Sequence, residues 1–110
     1  MERFRPVDRL RNKSQFDAVF RGGRRVNTPP VSLVIRKTGL DQNRLGISVS
    51  RKAGSAVRRN QLKRWIREVF RRNRGSFPPS ADIVVVVSRP VAALFGDLRK
   101  ALLEGAARVR

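Results

Sequence analysis

Residues 44–74, RLGISVSRKAGSAVRRNQLKRWIREVFRRNR, leave this chain few ways to fold. Leu45, Ile47 and Val49 alternate with Arg44, Gly46, Ser48 and Ser50, the two-residue period of a half-buried strand. Gly54 ends a loop, and Ser55 stands where an N-cap belongs, its hydroxyl suited to an orphan backbone N–H. Beyond it Leu62, Trp65, Ile66, Val69 and Phe70 make one apolar stripe on a helix predicted over 57–73. At about 100° per residue, Asn60, Lys63, Arg64, Arg67 and Arg71 gather on the opposite side. Between Arg51 and Arg74 there are ten Lys/Arg and one acid, Glu68. So much like charge calls for a polyanion to neutralise it.

The rest of the chain is read around that unit. Residues 1–13 are basic, contain Pro6, and are expected to run extended. Ser14-Gln15-Phe16-Asp17 has the form of a capping box, and Gly22-Gly23 stops the ensuing helix after about two turns. So short a helix needs docking, through Phe16, Val19 and Phe20. The two phenylalanines are either core or the lining of a groove in which single-stranded bases stack. Residues 24–28 suit an edge strand. Val31 to Lys37 suits a second, with Val31, Leu33 and Ile35 on one face and Ser32, Val34 and Arg36 on the other. A polar turn over 38–43 then predicts strand 44–50 as its antiparallel neighbour. Gly75 is expected at the C-cap of the cationic helix, with Pro78-Pro79 beyond. Ile83 to Val87 is an unbroken β-branched run, as in a central strand buried on both faces. Pro90 is expected to open the last helical region, carried by Leu94, Leu98, Leu102 and Val109.

The predicted order is α-β-β-β-α-β-α, with strand 44–50, helix 57–73 and strand 82–88 forming a βαβ crossover. That is an α+β chain, a small two-layer α/β sandwich, in one domain spanning residues 1–110. A length of 110 residues leaves little room for a second.

Charge narrows the function. The net charge is +18, and Arg greatly outnumbers Lys. Forked guanidinium donors suit phosphate oxygens and stack on bases, though genomic base composition also raises Arg. No apolar run approaches the roughly 20 residues needed to cross a bilayer, so a membrane role is disfavoured and the cytoplasm is expected. His, Cys and Tyr are absent, and the eight acids are scattered singly. A two-metal centre needs converging carboxylates, and no phosphate-binding Gly-rich loop is present. The residue inventory describes a binder.

Lys63, Arg64, Arg67 and Arg71 are either a solvated face or a docking surface. Glu68 at i±4 from Arg64 and Arg72 favours the first. Arg58 and Arg59 in the first turn, where the helix dipole disfavours cations, favour the second. Free N–H groups near Ala56 and Val57 would add phosphate donors, and Asn60 suits a base edge or a 2′-hydroxyl.

The segment RLGISVSRKAGSAVRRNQLKRWIREVF resembles the signature of the bacterial ribonuclease P protein subunit, a basic helix reading Arg-Asn-Arg-x-Lys-Arg-x-x-Arg-Glu after Gly-Asn-Ala-Val. Ala56, Val57, Arg59, Asn60, Lys63, Arg64, Arg67 and Glu68 match it. Leu10 to Gly22 resembles the family's first helix, with Phe16 and Phe20 at its two Phe positions. Asp82 to Pro90 resembles its last strand and Leu94 to Leu102 its final helix. Gln61 stands where the family has the second Arg of the motif, and Ser55 replaces the usual Asn. Val34 stands where relatives carry an aromatic.

The resemblance implies a fold of the ribosomal protein S5 domain 2-like type with a left-handed crossover, against the usual right-handed preference. It also implies that the RNA subunit holds the catalytic Mg²⁺ and removes the 5′ leader of precursor tRNA. By the same resemblance Arg51, Lys52, Arg58, Arg59, Asn60, Lys63, Arg64 and Arg67 bind ribonuclease P RNA. Phe16, Phe20, Ser32, Val34 and Arg36 line the groove for the precursor tRNA leader, and the protein supplies no catalytic residue. The rival reading is a ribosomal or other structural rRNA-binding protein. A DNA-binding regulator lacks a preceding helix at the right spacing, and a protein-only nuclease lacks the acid–base groups.

Overall fold

The computed structural model describes residues 8–109. The elements run α1 (Lys13–Gly22), β1 (Arg24–Thr28), β2 (Val31–Lys37), β3 (Arg44–Val49), α2 (Ala56–Arg72), β4 (Ala81–Val87) and α3 (Phe95–Arg108), with short 3₁₀ turns at Arg51–Ala53 and Arg74–Ser76. The predicted order and the α+β class hold. Of the extended segment expected over 1–13, residues 1–7 lie outside the described residues, and Lys13 already belongs to α1.

The four strands form one mixed sheet in the order β1-β2-β4-β3. β1 with β2 and β2 with β4 are antiparallel, whereas β3 runs parallel to β4. This corrects the expectation that β3 lies beside β2. β4 stands between them because Ile83, Val84, Val85 and Val87 have apolar side chains on both faces, each at most 1% exposed, and only an interior strand covers both.

α2 and α3 cover one face. Leu62, Ile66, Val69 and Phe70 from α2 and Leu98, Ala101, Leu102 and Ala106 from α3 pack on Leu33, Ile35, Leu45, Ile83 and Val85. These are the alternate residues of each strand, as the period requires. The other face carries α1, whose Val19 packs with Leu10, Val34 and Val84 while Phe16 lies half-buried against them.

Helix ends show where local signals compete. Asn12, not Ser14, caps α1. Its side chain accepts from Gln15 N–H at 2.9 Å, and the Gln15 amide oxygen accepts the Asn12 N–H at 3.3 Å. Ser55 caps α2 as expected, accepting from Arg58 N–H at 3.1 Å. α2 stops at Asn73 rather than Gly75: the Asn73 side chain donates to Val69 O at 2.9 Å, and Gly75 falls in the following 3₁₀ turn. α3 begins at Phe95, not near Pro90, and Asp97 accepts the Leu94 N–H at 2.9 Å.

Candidate nucleic-acid interface

Register places the side chains that α1 leaves uncovered. Arg25, Val34, Val84 and Gly46 form one row across the sheet, and Val34, Val84 and Gly46 are buried beneath α1. The next row on that face, Asn27, Ser32, Val86 and Ser48, is at least partly open on all four strands. Ser32 donates to the Asn27 side-chain oxygen at 2.6 Å. The row leads into a cleft of about 480 Å³ bordered by Arg25, Pro29, Ser88, Arg89 and Pro90.

A second cleft, of about 260 Å³, lies at the β3 edge. Arg9, Leu10, Arg11 and Phe16 flank it on one side, and Lys63 and Arg67 of α2 on the other. The N-terminal segment reaches it by pairing with the strand: Leu10 N–H donates to Leu45 O at 2.9 Å. Gly46 lets the ring in. A Cβ there would stand 2.9 Å from two carbons of the Phe16 ring and 3.0 Å from Leu10 Cδ1. Arg67 titrates below the ordinary arginine value, first because it is partly buried, then because Arg9 and Arg64 repel it. It still carries its charge at neutral pH, so this is a cationic channel under its own repulsion.

The remaining expected residues are dispersed around these clefts. Arg51 and Lys52 are exposed in the 3₁₀ turn after β3, where the Ser50 hydroxyl accepts Lys52 N–H at 3.0 Å. Asn60 and Arg64 are exposed on α2, while Arg59 is half-buried with its Nε atom enclosed and unpaired. Phe20 is 43% exposed on α1. Three residues depart from expectation. Val34, 3% exposed, lies in the core under α1 and lends no surface to a groove. Arg36 lies at the other end of α1, beside Gly22, Arg24 and Lys37, away from the Ser32 cleft. Arg58 turns inward, donating to the carbonyls of Val91 and Ala93.

Four of the acids, Asp8, Asp17, Glu68 and Asp82, are engaged as ion-pair partners. Arg44 holds Asp82 in a two-pronged pair at 2.7 and 2.8 Å, Arg74 pairs with buried Asp8 at 2.8 Å, and Lys13 pairs with Asp17 at 2.9 Å. Glu68 pairs with Arg71 and Arg72, not with Arg64. Among the described residues no three His, Cys, Asp or Glu side chains come together as a metal site. Among them, too, no helix is long and apolar enough to cross a membrane.

Arg9, Arg25, Asn27, Ser48 and Arg89 border these surfaces without having been singled out in the sequence. Alternation placed Ser48 and Asn27 on one face or the other, but the choice of face needed the strand order. Arg89 had no local signal at all.

Fold and charge define the class, a small, strongly cationic α+β protein with a four-stranded mixed sheet and three helices. The sequence matches the Ribonuclease P family over residues 4–109. It is 45% identical over 94 residues to the ribonuclease P protein component of Thermotoga maritima, covering 86% of this chain and 80% of the relative. The solved structure of the T. maritima protein superposes with a TM-score of 0.82 at 40% identity, over 93% of this chain and 97% of that one. The Staphylococcus aureus ribonuclease P protein gives 0.81 at 29%, over 93% and 94%. The chain belongs to the ribonuclease P protein family, the protein component of a tRNA-processing endoribonuclease. Membership decides against the ribosomal alternative.

Proposed function

We propose that this chain docks on ribonuclease P RNA through α2 and the preceding turn, and holds the single-stranded 5′ leader of precursor tRNA on the open part of the sheet. The observation that carries this reading is the uncovered row Asn27, Ser32, Val86 and Ser48, which ends beside the turn leading into the cationic helix. Ser50 N–H donates to Val87 O at 2.9 Å, so the exits of β3 and β4 lie side by side. Two RNA surfaces are thereby served from one end of the sheet.

For the RNA subunit the contacts are Arg51, Lys52, Arg59, Asn60, Lys63, Arg64 and Arg67. Phosphate neutralisation supplies affinity, and Asn60 adds a contact to a base edge or ribose. For the leader, Phe16 and Phe20 offer ring surface, Ser32 and its neighbours offer hydrogen bonds, and Arg25 and Arg89 offer charge. A groove of small polar groups flanked by cations holds a backbone without demanding a sequence. Catalytic Mg²⁺ belongs on the RNA in this reading, in keeping with Asp8, Glu68 and Asp82 being already paired to arginines, and the protein's part is to lower repulsion between two polyanions.

The test is the salt dependence of binding to ribonuclease P RNA. Each phosphate contact removed lowers the slope of log K against log salt by about one. Arg59→Ala, Lys63→Ala and Arg67→Ala should each do so, and the triple charge reversal to Glu should abolish assembly. Wild-type slopes retained in all three alanine variants would exclude α2 as the docking element.

A further inference from the structure

Arg58 belongs by sequence to the cationic run of α2, yet four of its five guanidinium N–H groups are already used. Nε and Nη2 donate to Val91 O at 3.3 and 2.8 Å, Nη2 also to Ala93 O at 2.7 Å, and Nη1 to the Gln61 side-chain oxygen at 2.6 Å. One Nη1–H is left, too few for the two-pronged phosphate contact that makes arginine effective. The guanidinium carbon lies 5.4 Å from the centre of the Trp65 ring, which meets Phe95 edge-on at 6.1 Å. Gly54, at φ +149°, gives the side chain room: a Cβ there would stand 3.1 Å from Arg58 Cγ.

What Arg58 grips is the segment between β4 and α3. That segment has no helix or strand of its own, and its first residues, Ser88, Arg89 and Pro90, form one wall of the sheet cleft. The grip falls immediately after them, at Val91 and Ala93. We infer that Arg58 is a positioning residue for this wall, tying it to the first turn of α2, and not a ligand of the RNA subunit. Gln61 is the acceptor that completes the clasp. An arginine at 61 would set a second cation against the Arg58 guanidinium. Gln61 and the inward turn of Arg58 are thus one feature, a clasp that fixes the cleft wall.

The inference rests on reading the cleft as the leader site, and the experiment separates the two. Holoenzyme is reconstituted from ribonuclease P RNA and the full chain carrying Arg58→Ala, Arg58→Lys or Arg89→Ala. Binding of precursor tRNA and of leaderless mature tRNA is then compared, together with the salt slope for the RNA subunit. Arg58→Ala should keep the wild-type salt slope but lose preference for precursor tRNA to the same extent as Arg89→Ala. The double variant should lose no more than either. Arg58→Lys should not rescue, since one ammonium cannot reproduce the planar fork. Emission from Trp65, the only tryptophan, should shift in both Arg58 variants of the free protein. This readout applies in the absence of RNA.

Lost leader preference in Arg89→Ala but not in Arg58→Ala would overturn the clasp and leave the cleft reading standing. No loss in either variant would overturn both. A salt slope lowered by about one in Arg58→Ala would make Arg58 a phosphate ligand and overturn the clasp. Should Arg58→Ala fail to fold, Gln61→Ala, which removes one acceptor only, should weaken leader preference without changing the slope; unchanged preference there would overturn it equally.

Discussion

Gly46 carries more of the site than its size implies. It sits in the buried row under α1, and the Phe16 ring occupies the place a side chain would take. Gly46→Ala must therefore displace an aromatic ring and Leu10 together, an overpacking expected to cost about 1–3 kcal/mol. Urea denaturation would show it, and a midpoint equal to wild type would mean that Phe16 yields freely. Position 46 read in the sequence only as the polar side of an alternating strand, because a close approach is invisible until the opposing element is known. The same limit explains Val34 and Arg58. Alternation correctly put Val34 on the face opposite Leu33, but α1 covers that part of the face and leaves Ser32 open. Arg58 looked like its cationic neighbours, and the carbonyls that turn it inward lie more than thirty residues away along the chain.

α2 is the element whose sequence said most. Its stripe, its N-cap and its charged face all follow from helical spacing, and the structure keeps them. Glu68 shows how the helix handles its own repulsion. It accepts from Arg71 and from Arg72, three and four residues on, and hydrogen bonding to Arg71 is the leading cause that brings its carboxyl down from 4.5 to about 2. A carboxylate held lower in the folded chain than in the unfolded one stabilises fully above about pH 4.5 and loses that contribution as pH falls toward 2. Glu68→Gln should accordingly flatten the fall in urea midpoint across that window, at an exposed site where the total effect is small. Parallel profiles for variant and wild type would show the pair to be stabilising nothing. The ends of α2 and α3 were less legible, since Asn73 and Asp97 compete with glycine and proline signals only a few residues off.

For the whole molecule, the closing contact is made by Arg74. Its guanidinium takes Asp8 at 2.8 Å and the Asn43 side chain at 2.8 Å, and lies 5.3 Å from the centre of the Phe70 ring. Asn43 in turn donates to Pro78 O at 3.1 Å. One side chain thus joins the N-terminal segment, the approach to β3 and the exit of α2. Asp8 is fully buried, so Arg74→Ala takes a guanidinium away from a buried carboxylate and should cost about 3–5 kcal/mol by denaturant unfolding. Asp8→Ala added to it should recover part of that loss, and a double variant as unstable as the sum of the singles would show the two residues to be uncoupled. None of these long-range pairings was available from local pattern. Nor was the strand order, although the doubly apolar run Ile83–Val87 marked the middle strand once four strands were counted.

That middle strand has a bearing on biosynthesis. β2 and β3 meet only through β4, which leaves the ribosome after both of them. The nascent chain must carry the β1–β2 hairpin and the β3–α2 piece as unjoined halves, their inner ladder edges unmatched, until residues 81–87 clear the exit tunnel and slot between them.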